Sequence, residues 1–406
     1  MNRHLLLLVA VLSACPIPPA TAMDKLWEKQ LDGEIAGAPI QFHDSLLVGA
    51  GQTLLRIEEN GEKRWRKPLA AITRAALAAD DEHIYVHTEQ GLVAFDANGD
   101  RVWTYAAEDA GPQVDGRYWG WGEGLFTDAW AWYRSAPVID SGSIIFGNSA
   151  GLHAVNANTG ELQWHATMGA VTGTPVVTGG GIIVGSWDNF IYKLDRASGE
   201  VIWTTEALLP RGPYPGWAGW NGFHVSPVVY ENTVIAGTRG TYLYGLDLET
   251  GTEKWSIKAG TSWLGSAAVV SNGTAYAGLS DGQAVIGVNL AGGNQSFFLP
   301  TPGLVFATPL VHGYKLIVGT LFGELLVFDL SQSSLLHQIK IHDNERSYRD
   351  YLAQTPDEDD LSAYDRSVSS LKTMKGELHS ILSMTIVDDQ LLVGTASGRL
   401  IAYALP

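Results

Sequence analysis

Two segments rich in Trp and Tyr contain the residues whose side chains could bind a ligand or a partner. They are "GPQVDGRYWGWGEGLFTDAWAWYR" (111–134) and "RGPYPGWAGWNGFH" (211–224), in which Trp and Tyr alternate with Gly and Pro. Rigid, amphipathic rings on glycine-hinged loops suit stacking against sugar faces, flat cofactors or peptide side chains. The candidate residues for a ligand or partner surface are Tyr118, Trp119, Trp121, Trp130, Trp132, Tyr133, Tyr214, Trp217, Trp220 and His224, with Trp187 and Arg239 on other loops.

No catalytic or metal-binding motif occurs in the sequence context that its chemistry requires. None of the 11 His belongs to an HExxH or comparable pair, and His224 is the best single candidate only because it adjoins an aromatic segment. A lone His is more often a hydrogen-bonded structural group. No nucleophile-elbow, P-loop or dinucleotide fingerprint appears in a strand-to-helix context. We therefore assign no catalytic residue and no metal site.

Charge and the N-terminus restrict partners and location. A net charge of -17 without a Lys/Arg cluster disfavours nucleic acid. The pattern of residues 1–22 predicts a secretory signal, with Arg3 before an apolar run and "ATA" before Met23. "LSAC" offers the alternative of cleavage after residue 14 and a lipid on Cys15, the single Cys. Either alternative predicts an exported, periplasmic protein without a transmembrane span, and the lipid would anchor it to the outer membrane.

A hairpin motif repeats along the chain and supplies the elements that must position the aromatic segments. Copies such as "LHAVNANTGELQW" and "LYGLDLETGTEKW" combine an apolar alternation, an Asx-Gly turn and a terminal Trp. Each reads as a strand, a turn and a second strand. We interpret the motif tryptophans as structural residues that dock between repeats: Trp27, Trp65, Trp103, Trp164, Trp203 and Trp255.

A second hairpin precedes each motif hairpin, as in "SAPVIDSGSIIFGNSAG", and eight such segments occur. Units of four antiparallel strands at this period predict an all-β, eight-bladed β-propeller as a single domain over residues 23–406. The last unit ends without an outer strand, whereas "KLWEKQL" near the start resembles an isolated outer strand. We expect this N-terminal strand to join the last blade and close the ring, in a monomer.

Three insertions interrupt the repeat, near 105–135, 204–224 and 342–379. All follow an outer strand, so they should emerge on one face, where propellers commonly bind. The aromatic rings there either form a ligand or partner surface or only plug the central channel. The third insertion has a helical pattern, with Leu361, Tyr364, Val368 and Leu371 following a cap at Asp360. This helix either docks on its own propeller or binds a partner.

The "LD..TG...W" turn resembles the tryptophan-docking motif of the PQQ-type propeller superfamily. An eight-bladed exported chain without a catalytic domain most resembles the BamB-type outer-membrane assembly lipoproteins within it. This resemblance implies a non-catalytic periplasmic scaffold or ligand-binding module without a cofactor. Its expected partner is a protein of the cell envelope or a small-molecule or glycan ligand. The alternative is a carbohydrate-active enzyme or a quinone-dependent dehydrogenase. Such a dehydrogenase would bind PQQ with calcium, and the candidate residues for that site are Trp187, Asp188, Asn189 and Arg239.

Overall fold

The repeated hairpins fold into eight antiparallel sheets of four strands each, arranged as the blades of a β-propeller. The structure is a computed structural model that describes residues 23–208, 222–260, 262–346, 350–351 and 361–406. In blades one to seven the four strands follow one another in chain order across the sheet. The all-β, eight-bladed fold predicted from the repeat is therefore confirmed.

The first four blades take up the N-terminal half of the chain. Blade one contains β2 (Ile40–Phe42), β3 (Ser45–Ala50), β4 (Thr53–Ile57) and β5 (Lys63–Pro68). Blade two contains β6 (Ala78–Ala79), β7 (His83–Thr88), β8 (Gly91–Asp96) and β9 (Arg101–Ala106). Blade three contains β12 (Val138–Asp140), β13 (Ser143–Asn148), β14 (Gly151–Asn156) and β15 (Leu162–Thr167). Blade four contains β16 (Val176–Thr178), β17 (Gly181–Gly185), β18 (Phe190–Leu194) and β19 (Val201–Glu206).

The C-terminal half supplies the other blades. Blade five contains β20 (Val228–Tyr230), β21 (Thr233–Gly237), β22 (Tyr242–Asp247) and β23 (Glu253–Lys258). Blade six contains β24 (Leu264–Ser271), β25 (Thr274–Leu279), β26 (Ala284–Asn289) and β27 (Gln295–Pro300). Blade seven contains β28 (Leu310–His312), β29 (Lys315–Gly319), β30 (Glu324–Asp329) and β31 (Ser334–Lys340). Blade eight contains β32 (Ile381–Val387), β33 (Gln390–Thr395), β34 (Arg399–Ala404) and β1 (Lys25–Gln30).

The N-terminal strand closes the ring, as predicted. β1 pairs antiparallel with β34, with Trp27 opposite Ala402 and Glu28 opposite Ile401. Arg399 on β34 donates a hydrogen bond to Glu28, which holds the pKa of that carboxyl at about 2, below its usual 4.5. The first and last strands of the chain thus share one sheet, and β1 supplies the outer strand of the last blade.

Apolar side chains pack between neighbouring blades. One cluster joins Tyr85 and Leu92 of blade two to Ile144 and Phe146 of blade three, and other blade pairs form equivalent clusters. The second and third strands of a blade are covered on both faces, which explains their nearly continuous burial. Each large apolar side chain buried in this way contributes about 1.5–3 kcal/mol.

Most motif tryptophans pack on the turn of the following blade. The ring of Trp164 covers Gly199, whose φ is +71° and where an added Cβ would lie 2.6 Å from the indole. Glycine is required there by both the backbone angle and the ring. The indole Nε1 also donates to a carbonyl of that turn, at 2.9–3.2 Å, in the pairs Trp103–Ala157, Trp164–Arg196, Trp203–Leu248 and Trp255–Leu290.

Trp65 differs because its partner turn is shorter. The turn of blade two, "DANG", has one residue fewer than "NANTG" of blade three. The carbonyl of Ala97 in that turn accepts a hydrogen bond from Arg56 Nη1 at 3.1 Å. Within the described chain the buried Nε1 of Trp65 has no hydrogen-bond partner. Trp65 is therefore held by packing without the hydrogen bond.

The third insertion contains helix α1 (Ala363–Glu377). Its N-cap is Ser362, whose hydroxyl accepts a hydrogen bond from the backbone N–H of Asp365 at 3.1 Å. The predicted cap at Asp360 was wrong, because a Ser side chain two residues later satisfies the first turn. Leu371 is buried as expected, whereas Val368 is 36% exposed. None of the helices described here is both long and apolar enough to span a bilayer.

Candidate functional site

The first insertion builds a short hairpin on one face of the ring. β10 (Gln113–Asp115) pairs with β11 (Leu125–Thr127), and a 3-10 turn (Gly116–Tyr118) follows β10. Asp115 caps that turn by accepting a hydrogen bond from the backbone N–H of Arg117 at 3.0 Å. The hairpin thereby presents Trp119 and Trp121 together, with ring centroids 4.9 Å apart and planes 5° from parallel.

Helix α1 of the third insertion docks on this hairpin. Trp121 Nε1 donates to the hydroxyl of Ser367 at 3.0 Å, and the hydroxyl of Tyr364 donates to the carbonyl of Thr127 at 2.9 Å. The ring of Tyr364 also meets that of Trp121 edge-on, with centroids 5.0 Å apart. The first and third insertions therefore meet on the same face, as the repeat spacing predicted.

A second aromatic group lies over the mouth of the central channel. Trp132, which is 6% exposed, packs on Phe306 at a centroid distance of 4.9 Å, and Trp130 stacks on the same ring at 6.3 Å. Leu371 and Met374 of α1 belong to the same apolar cluster. These rings pack on one another and on the helix, so this part of the insertion closes the channel as a plug.

Sequence reasoning missed two members of the plug, Trp263 and Phe306. The Trp263 ring lies 6.4 Å from Trp130 and 6.0 Å from Phe306. The signal available was an aromatic residue in the connection directly before an inner strand, in "SWLGSAA" and "LVFATP". Neither connection is longer than the repeat requires, so the repeat spacing predicted no insertion at either position.

Beneath the plug lies a cavity of about 210 Å³ on the ring axis. Residues in or just before the inner strands of all eight blades contribute to it: Ala38, Ala76, Ala136, Thr174, Ser226, Ala267, Thr308 and Ser383. Small side chains are needed here because eight strands converge on one axis. Tyr133 and Arg134 of the insertion also line this cavity.

A buried ion pair fixes the plug to the ring. Asp128 of the first insertion accepts a hydrogen bond from Arg239 of blade five, and both side chains are at most 1% exposed. The Arg239 guanidinium carbon lies 3.7 Å from the ring centroid of Trp263 and 4.8 Å from that of Trp187. Burial lowers the pKa of Arg239, and the charge of Asp128 opposes this shift. Removing one partner would leave the other charge buried and uncompensated.

His224 lies inside this assembly rather than at its surface. Its ring is fully buried, with centroids 6.0 Å from Trp187 and 6.3 Å from Tyr133. Burial, together with the nearby charge of Arg239, places the pKa of His224 well below its usual range. The imidazole is therefore neutral at physiological pH and belongs to the packing of the plug.

Further ion pairs surround the plug. Arg134 Nε lies 2.9 Å from Asp109 Oδ2, and both side chains are at most 5% exposed. Lys375 of α1 lies 3.5 Å from Glu34 and 4.4 Å from the ring centroid of Trp132. Burial lowers the pKa of Lys375, whereas Glu34 opposes the shift. The pair of Arg134 and Asp109 thus lies within the first insertion, whereas Lys375 ties α1 to the segment between β1 and β2 and to Trp132.

The residues available for a quinone and calcium site are used in other contacts. Asp188 accepts hydrogen bonds from the backbone N–H groups of Gly169 and Phe190 and from the Tyr192 hydroxyl, at 2.8–3.1 Å. Asn189 donates to the carbonyl of Ala207 at 3.1 Å. Within the described ranges, no group of three or more His, Cys, Asp or Glu side chains could hold a metal ion. The donor set therefore does not fit calcium with a quinone.

The predicted surface residues form one connected assembly where the structure describes them. Trp119, Trp121, Trp130, Trp132 and Tyr133 meet α1 or the plug, and Trp187, His224 and Arg239 join them from blades four and five. Tyr214, Trp217 and Trp220 lie outside the described residues, as do Cys15 and the side chain of Tyr118.

An open groove of about 350 Å³ remains between the first insertion and α1. Trp119, Trp121 and Trp130 line one side, and Arg366 and Ser367 line the other. Beside it, a polar pocket of about 730 Å³ is lined by Tyr364 and by the charged side chains of Arg74, Glu89, Asp109 and Arg134.

Fold and site together define the class of this protein: an eight-bladed β-propeller whose channel is closed on one face by aromatic insertions. The chain belongs to the family described as outer membrane protein assembly factor BamB, which matches residues 21–205 and 215–405.

Individual relatives are distant. The outer membrane protein assembly factor BamB of Moranella endobia is 26% identical over 258 residues, which span 61% of this chain and 61% of the relative. The crystal structure of BamB from Moraxella catarrhalis superposes with a TM-score of 0.68 at 15% identity, over 95% of this chain and 100% of that one. A europium-containing methanol dehydrogenase superposes with a TM-score of 0.66 at 11% identity, over 94% and 93%. Both structures share the fold with this chain, and fold alone does not distinguish a scaffold from an enzyme.

Proposed function

We propose that this protein is a non-catalytic scaffold of the cell envelope that binds a protein partner during outer-membrane protein assembly. Family membership supports the assembly role, since relatives carry that name. The observation that carries the proposal is the joining of two insertions through Trp121 and Ser367, which leaves an open groove of about 350 Å³ lined by aromatic side chains. Clefts lined by aromatic side chains and a few polar groups are typical of binding sites.

The opposite face is formed by the short turns inside the blades. Among them are the Asx turns in which Asn156, Asp195 and Asp247 accept hydrogen bonds from the backbone N–H groups that follow them. Tyr314, in the turn between β28 and β29, is exposed on this face as a single ring. We favour the plugged face for partner binding because two insertions meet there and leave a groove between them.

Export and monomeric state complete the proposal. The signal at residues 1–22 would deliver the chain to the periplasm, and acylation of Cys15 would hold it at the outer membrane. Mass spectrometry of the mature protein separates the alternatives, since a lipid on Cys15 and cleavage before Met23 give different N-terminal peptides. Light scattering of the purified chain tests the monomer.

Photo-crosslinking in cells tests the binding face. A photoreactive amino acid replaces Glu123, which is exposed on the first insertion, or Asn158, which is exposed on an Asx turn of the other face. We expect specific crosslinks to an envelope protein from position 123 and none from position 158. Crosslinks from position 158 alone would place the partner on the opposite face and contradict the proposal.

An assay of dye reduction with added PQQ and calcium tests the non-catalytic assignment. We expect no activity above that of the same assay without PQQ and calcium, because Asp188 and Asn189 are used in loop contacts. Activity that depends on both additions would favour the dehydrogenase alternative.

A further inference from the structure

The groove between the first insertion and α1 has a preformed apolar wall. Trp119 and Trp121 stack with ring centroids 4.9 Å apart, and Ser367 of the helix holds Trp121 by a hydrogen bond of 3.0 Å. Trp130 continues the wall and is itself stacked on Phe306. A wall that is fixed before binding loses little conformational entropy when it takes up a ligand.

One cation stands on the opposite wall. Arg366 is the single ionisable side chain among the described residues that line the groove, and no Asp or Glu lines it there. One of its nitrogens donates to the carbonyl of Leu361, which orients the guanidinium from within the same helix. In a chain with a net charge of -17, this is a local site of positive charge beside aromatic rings.

Besides Arg366 and the tryptophan indoles, the polar side chains that line the groove are the hydroxyls of Ser367 and Ser370, which are too few for a sugar. The Ser367 hydroxyl accepts from Trp121 Nε1 and donates to the carbonyl of Ala363 at 3.0 Å, so its proton is already used. Sugar sites combine aromatic stacking with several convergent polar side chains, and none of the described lining residues is Asp, Glu, Asn or Gln. A volume of about 350 Å³ is enough for one large side chain and its neighbours.

We propose that this groove binds a peptide segment in which an aromatic side chain is followed closely by a carboxylate. The aromatic ring lies against Trp119 and Trp130, and the carboxylate pairs with Arg366. Arginine suits this role because its planar group can bind a carboxylate through two hydrogen bonds. The inference rests on the proposed function, because it names the partner chemistry for the same face.

Fluorescence anisotropy with defined peptides tests the inference. The probe is a short fluorescein-labelled glycine-serine peptide with one tryptophan and, two residues later, one glutamate. Matched peptides carry glutamine in place of glutamate, or alanine in place of tryptophan. We expect the glutamate peptide to bind about tenfold more tightly than the glutamine peptide, which corresponds to one charge-assisted hydrogen bond. The alanine peptide should bind more weakly than both.

Single-residue variants test which groove residues contact the aromatic ring and the carboxylate of the peptide. Arg366→Gln should remove the difference between glutamate and glutamine peptides and leave the glutamine peptide unaffected. Lys372→Gln is the matched control, because Lys372 is exposed on the same helix and does not line the groove. Trp119→Ala should weaken both peptides. Thermal unfolding checks that each variant is folded, and Arg366→Lys, which keeps the charge, should retain part of the preference.

Equal affinity for the two peptides, no binding at millimolar peptide, or the same loss in Lys372→Gln would overturn the inference. Displacement of the probe by an oligosaccharide would show a sugar site and also overturn it. Crosslinking from position 123 is a separate readout, so crosslinks without peptide binding would leave the proposed function standing and reject only this partner chemistry.

Discussion

The indole Nε1 of Trp121 donates a hydrogen bond of 3.0 Å to the hydroxyl of Ser367, a residue 246 positions later in the chain. This contact joins an insertion after blade two to one that precedes the last blade. Neither insertion has a core of its own, and each covers apolar surface of the other. The two insertions therefore cover each other, and the connections that hold Trp263 and Phe306 complete the plug.

Ring closure should contribute measurably to stability. Deleting residues 24–30 removes β1 and Trp27, whose ring packs on Gly61 of blade one. We expect a loss of about 2 kcal/mol or more, seen as a fall of several degrees in the melting temperature. Thermal unfolding followed by circular dichroism measures it, and an unchanged melting curve would show that the strand is dispensable.

The contact between β1 and β34 should weaken in acid. The pKa of Glu28 is lowered to about 2 in the fold, first by the hydrogen bond from Arg399, against 4.5 as its usual value. A carboxyl with a lowered pKa stabilises the fold above its unfolded pKa, and this contribution is lost as pH falls through the folded value. Glu28→Gln should therefore lower the melting temperature near neutral pH and have little effect near about pH 2. A constant difference across that range would mean that the pairing of Glu28 does not contribute.

The motif tryptophans are predicted to be structural. Trp164→Ala removes a ring that packs on Gly199 and is 9% exposed, so it should cost about 3–5 kcal/mol. Denaturant unfolding gives the value. Crosslinking from position 123 should persist in the folded variant. A variant as stable as the parent that had lost its crosslinks would instead make Trp164 a binding residue.

A comparison of Trp65 with Trp255 distinguishes the stability due to ring packing from that due to the indole hydrogen bond. Trp255 Nε1 donates to the carbonyl of Leu290 at 3.0 Å, whereas Trp65 Nε1 has no partner among the residues described. Replacing each by phenylalanine removes similar ring area, so Trp255→Phe should cost about 1 kcal/mol more than Trp65→Phe. Equal costs in denaturant unfolding would mean that the hydrogen bond contributes nothing net.

The buried pair of Asp128 and Arg239 should show strong coupling. Asp128→Asn leaves the guanidinium without its charge partner and should cost about 3–5 kcal/mol. The double variant Asp128→Leu/Arg239→Met should recover part of that loss, since neither charge is then buried. A double-mutant cycle by denaturant unfolding measures the coupling, and strictly additive losses would contradict it.

Local sequence determined the blades. An Asx residue, a glycine with positive φ and a terminal Trp recur together, and each turn can form from its own backbone, as the hydrogen bonds accepted by Asn156 show. Because strand, turn and docking contact lie within one or two repeats, periodicity alone predicted the number of blades and the closing strand. Sequence also identified the insertions, since their length exceeds what a blade requires.

Tertiary structure decided what the insertions do. Nothing in the local sequence pairs Asp128 with Arg239, Trp121 with Ser367, or Trp130 with Phe306, and Phe306 lies in a connection of ordinary length. Whether an aromatic ring is a free surface or part of a plug depends on what covers it, and the covering residues come from blades far apart in the chain. Burial depends on the closed ring of eight blades. The sequence therefore identified Trp132 and His224 as candidates, but only the tertiary structure shows that both are buried in the plug.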